Sequence, residues 1–186
     1  MRTTRSFLPL LFLPMLLLLA LAGCGSSGGS GRVGDYVGGS VRLECAPFAR
    51  ALSGVRLSGD AADWWWRAEG RYSRSYTPRV GSVLVLSRSV RLRSGHVSVV
   101  SRVLSPREIL VTQANWVRDR VTEDQPVIDV SPNNDWSMVR IWWPPSSQMG
   151  ITDYPAHGFV HADRPKSRDE LVAQTPGAIQ IALAGR

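Results

Sequence analysis

Cysteine, histidine and lysine are all scarce in this chain. It holds two cysteines and three histidines, and Lys166 is its one lysine. Two cysteines allow at most one disulfide. A zinc centre needs about four ligands. His157 and His161, four residues apart on one face of a strand, have no third partner in the pattern, so no metal and no cofactor is expected. Long apolar runs are scarce too. The run from Phe7 to Leu21 falls short of the ~20 residues of a membrane span, and no internal repeat is visible. The formal charge is +7, but the arginines are scattered instead of forming a block. With an export signal ahead of them, that argues against nucleic acid as a partner. A mild positive field suits an acidic polymer such as a cell wall.

What is present begins with Arg2 and Arg5 ahead of the apolar run, the pattern of an export signal. The run ends Leu21-Ala22-Gly23-Cys24, which resembles a bacterial lipobox. That resemblance implies a signal peptide over 1–23, cleavage before Cys24, and a lipid on Cys24 that attaches the protein to a membrane. Gly25 after the cysteine points to the outer membrane, facing the periplasm, if the cell has two membranes. Residues 24–35 read as a Gly/Ser tether. A lipidated Cys24 cannot pair, and Cys45 is left as a free thiol.

One domain is expected over 36–162. Cys45, Phe48, Ala49 and Leu52 recur at i, i+3, i+4 and i+7, the buried face of a short helix, which Gly54 stops. Pro47 belongs in a first turn. Cys45 then stands at the helix N-terminus, where unpaired N–H groups favour a thiolate. Asp60 to Gly70 reads as a second helix with Asp60 as its cap. Of its three adjacent tryptophans, Trp65 is the one expected to pack against the first helix. Short β-branched runs follow around Val83, Val97, Ile109, Ile128 and Val139, and Tyr154 to His161 reads as a short edge strand. The expected class is α+β, papain-like, with N-terminal helices on an antiparallel sheet of about five to six strands. Residues 163–186 read as a flexible tail.

His96 opens one strand and Asn115 closes the next, so antiparallel pairing brings them to one end of the sheet. A helix-borne thiol, a strand-borne imidazole and a neighbouring amide are the parts of a cysteine hydrolase. The stretches Glu44-Cys45-Ala46-Pro47-Phe48, Gly59-Asp60-Ala61, Gly95-His96-Val97-Ser98-Val99-Val100 and Ala114-Asn115-Trp116, in that order, resemble the CHAP domain of bacterial cell-wall hydrolases. That resemblance implies Cys45 as nucleophile, His96 as base and Asn115 as the group that orients it. Many members carry glutamate where this chain has Gln113, a neutral auxiliary. The activity implied is hydrolysis of an amide bond in peptidoglycan, by an amidase or a peptide endopeptidase. A catalytically weak wall-binding lipoprotein and an amidase acting on a small peptide conjugate remain as alternatives. Oligomeric state is not legible.

Overall fold

The computed structural model describes residues 33–36 and 42–184. The signal peptide, Cys24 and most of the tether lie outside them. The strands are β1 (Val33–Tyr36), β2 (Ser73–Ser75), β3 (Val83–Leu86), β4 (His96–Ser105), β5 (Glu108–Ala114), β6 (Arg120–Asp129), β7 (Met138–Trp143), β8 (Gln148–Met149) and β9 (Tyr154–His161). The helices are α1 (Cys45–Ser53), α2 (Trp64–Arg67) and α3 (Arg168–Ala184).

The antiparallel α+β class holds, but the sheet is larger than expected and not open. Among the described residues it contains nine strands. Neighbours run β6-β5-β4-β3-β9-β7, and β7 pairs back onto β6, so six strands close into a barrel. Closure comes from β9, which lies between β3 and β7 and is no edge strand. Val33 to Asp35, placed in the tether by composition, belong to β1 and pair with β6.

Closure explains why β3 is buried along its whole length. Successive side chains point to opposite faces. Val83 and Val85 face a cluster with Phe48, Leu52 and Trp64, while Leu84 and Leu86 join Ile109, Val127, Ile141 and Phe159 in a second cluster. The first is the seam between helices and barrel, and the second fills the barrel.

α1 follows its sequence pattern. Phe48, Ala49 and Leu52 are buried, and Gly54 closes the helix in the left-handed conformation at φ 82°. The second helix is shorter than its pattern. A 3-10 turn over Ala61–Asp63 leads into α2, and Asp60 forms no cap. Asp60 and Asp63 instead share Arg88. Of the three tryptophans, Trp64 is fully buried, Trp65 packs half-buried against the same cluster as α1, and Trp66 is 61% exposed.

Residues 168–184 are helix α3, not a flexible tail. Leu171, Thr175, Ala178 and Ala182 form its buried stripe, spaced i, i+4, i+7 and i+11. Lys166 fixes the approach: its Nζ donates to Leu52 O at the end of α1, 2.6 Å away. Leu171→Ala should therefore destabilise the whole domain by about 2–4 kcal/mol, as buried leucine truncations do. Urea unfolding would check it. An unchanged midpoint would mean that α3 contributes nothing to the fold.

Candidate active site

Cys45, His96 and Asn115 line one cleft, brought together by three separate elements. α1 supplies Cys45 at its first residue. The turn before β4 supplies His96. Gly95 at φ 72° makes that turn possible: a Cβ there would stand 2.6 Å from Ala62 N and from Leu86 O. Ala62 N donates to Ser94 O, so the loop before α2 is seated directly on the histidine turn.

The amide that holds His96 is Gln113, not Asn115. His96 Nε2 and Gln113 Oε1 are 2.9 Å apart, and both residues are buried. An amide oxygen only accepts, so Nε2 carries the hydrogen and Nδ1 is the ring's basic nitrogen. Register explains the change of partner. Val99 pairs with Thr112 and Val100 with Val111, and continuing that ladder sets His96 opposite Asn115 and diagonal to Gln113. Asn115, however, has left the strand at φ 62°. Its Oδ1 accepts from Asp119 N at 3.1 Å. Asp119 Oδ1 in turn accepts from Leu43 N, two residues before the cysteine. Asn115 thus shapes the turn that tethers the start of α1, and the diagonal neighbour reaches the imidazole.

Electrostatics at the pair are set by burial. His96 is pushed down to about 4, with the bond to Gln113 pulling weakly the other way. Cys45 is raised above its ordinary value by burial, against backbone amides of Val97 and Ala46 that favour the thiolate. The helix end alone favours a thiolate, but desolvation outweighs it. Burial thus favours a neutral thiol and a neutral imidazole, two groups that line one cleft. Gln113 Nε2 is buried and has no hydrogen-bond partner.

The cleft continues past His96. Trp116 packs on the imidazole with ring centroids 5.1 Å apart, and its Nε1 donates to Trp142 O. Trp143 and Tyr154 stand edge-on to Trp116. Three spaces, of about 390, 460 and 470 Å³, follow one another from Cys45, past His96 and Trp116, to the β8 loop. Arg91 borders all three. Trp143, Tyr154 and Arg91 went unnoticed in the sequence because they come from loops and strands far from the thiol. Only Trp116, adjacent to Asn115, carried a signal.

The remaining histidines lie elsewhere. His157 stacks on Trp65 and meets Trp66 edge-on, while His161 Nε2 bonds Ser75 Oγ at 2.7 Å. Among the described residues no group of three or more His, Cys, Asp or Glu could hold a metal ion.

Residues 34–115 match the family model described as CHAP domain. The matched span begins in β1 and ends at Asn115, so it contains Cys45, His96 and Gln113. No curated protein matches the chain, and no solved structure does.

Proposed function

Residues 34–115 make this chain a member of the CHAP domain family, a family of cell-wall amidases and peptidases, and from that premise we propose that it hydrolyses an amide bond of peptidoglycan with Cys45 as nucleophile. The observation that carries the reading is the His96–Gln113 hydrogen bond. It leaves Nδ1 as the base in a cleft shared with the thiol.

The chemistry follows from the neutral resting pair. The Cys45 thiol gives its proton to His96 Nδ1 as sulfur attacks the carbonyl carbon. The imidazolium so formed has the Gln113 dipole, and no carboxylate, hydrogen-bonded to it among the described residues. N–H groups at the start of α1 have no intrahelical partner and suit the developing oxyanion. The C–N bond then breaks, the amine leaves with the proton from His96, and a thioester remains on Cys45. Water, deprotonated by His96, releases the acid and restores the thiol. The row of spaces beyond Trp116 suits an extended glycopeptide better than a compact metabolite. The bond is either that between muramic acid and L-alanine or one within the peptide.

The same reading has the protein exported and held at a membrane by lipid on Cys24, in the outer membrane of a two-membrane cell. It rests on the lipobox and on Gly25. Among the described residues no helix is long and apolar enough to cross a membrane.

Digestion of purified sacculi tests the proposal. New amine and carboxyl ends, identified by mass spectrometry, should appear in equal numbers and name the bond. Sacculi that bind the protein yet release no new ends would favour the wall-binding alternative.

A further inference from the structure

The cleft holds more positive charge than the hydrolysis needs. On the Trp116 side of His96, Arg42, Arg91 and Arg118 border the space with a single carboxylate, Asp119. Asp119 is buried and engaged with Leu43 N. Arg91 and Arg118 are exposed, and neither has an ion pair or hydrogen bond with another described residue. Elsewhere on the surface Arg88 is paired with Asp60 and Asp63, Arg140 with Asp153, Arg164 with Glu170 and Arg168 with Asp124, so exposed carboxylates are available to arginines but none among the described residues is placed against Arg91 or Arg118. On the Cys45 side Arg42, Arg91 and Arg93 stand with two carboxylates, Glu44 and Asp60, so the excess of positive charge is smaller there. The larger excess of positive charge therefore lies beside the tryptophans, where Arg118 is added and Asp119 is the one carboxylate lining the space.

A guanidinium is a planar fork that matches a carboxylate, and walls of low dielectric focus its field into the cleft. Resting on the amide hydrolysis proposed above, we infer that the cleft selects peptides bearing a free carboxylate next to the scissile bond, on the Trp116 side, and that Arg91 and Arg118 recognise it. A carboxamide in the same place keeps the size and loses the charge. The site would thus separate wall peptides by their state of amidation.

The probes are two muramoyl peptides identical except that one side-branch carboxyl is a carboxylate in the first and a carboxamide in the second. The wild-type protein should cleave the carboxylate form with a kcat/KM about tenfold higher or more, the scale of a charge-assisted hydrogen bond. The difference should sit mainly in KM. It should shrink as salt is raised, because exposed charges are screened over about 8 Å at physiological ionic strength. In Arg91→Gln/Arg118→Gln the two peptides should reach similar kcat/KM values. Equal cleavage of both by the wild type overturns the inference, and so does a preference that survives the double substitution or high salt. Binding of both peptides to Cys45→Ala separates this result from failure of the hydrolase reading. If the wild type cleaves neither peptide, the hydrolase reading fails. A tighter Kd for the carboxylate form then still supports the arginine selection, and equal Kd values refute it.

Discussion

Cys45→Ala should lower wall hydrolysis by about 10³-fold or more while leaving the protein folded. Residues that act as one catalytic unit each cost nearly the whole effect. His96→Ala should do equal damage to activity, and the double variant should be hardly slower than either single. The folds of the two variants differ in cost. Cys45 is half-buried at the first residue of α1, and alanine replaces it with the loss of one sulfur. His96 is buried under Trp116, so its truncation opens a cavity and leaves Gln113 Oε1 without its donor. About 1–3 kcal/mol of stability should go with it. Circular dichroism and urea unfolding of both variants would separate lost chemistry from lost fold. A Cys45→Ala protein that still releases new ends at the wild-type rate would remove the thiol from the mechanism.

The second large effect is expected from Gln113→Glu. His96 is held at about 4 against an ordinary value of 6.5, because burial disfavours its charged form. The unfolded chain therefore takes up the proton first as pH falls. Stability should decline from about pH 6.5 to about pH 4 and level off below that, where both states are protonated. Loss of the Nδ1 base should put the acid limb of kcat/KM near 4 as well. A carboxylate in place of the Gln113 amide favours the imidazolium and removes an N–H that is buried without a partner. The acid limb should move up by about two units, the scale of an adjacent opposite charge, and the decline in stability below pH 6.5 should become shallower. The pH dependence of kcat/KM and of the His96 ring proton resonances would read both. An acid limb in the same place in the two proteins would mean that residue 113 does not govern the imidazole.

Much of this site was legible because its parts carry strong local signals. The α1 stripe, Pro47 and Gly54 locate Cys45 on a helix end without any tertiary information. The β-branched runs locate β3 to β7, and the hairpin through Pro106 puts His96 and Asn115 at one end of the sheet. What was not legible depends on register and closure. A left-handed backbone at Asn115 turns its side chain into the next turn and gives the imidazole to Gln113. No spacing in the sequence announces that. Barrel closure by β9 is a pairing between segments far apart in the chain, β3 with β9 (Val83 with Val160, 77 residues on). α3 was hidden by Pro176-Gly177 in its middle, a pair that reads as a helix stop, and by a buried face of mostly small residues. The thiolate preference at Cys45 is offset for a related reason. The helix end is visible in sequence, but the burial that outweighs it is a property of the packed barrel mouth.

The central claim is that an acyl group passes through a thioester on Cys45, and trapping with hydroxylamine tests it most directly. The amine nucleophile competes with water for the thioester after the first product has left. With a muramoyl peptide as substrate, mass spectrometry should find an acyl hydroxamate that grows with hydroxylamine concentration at the expense of the free acid, while release of the amine fragment stays constant. Cys45→Ala should form neither product. Free acid alone at every hydroxylamine concentration, with Cys45→Ala as active as the wild type, would contradict the account.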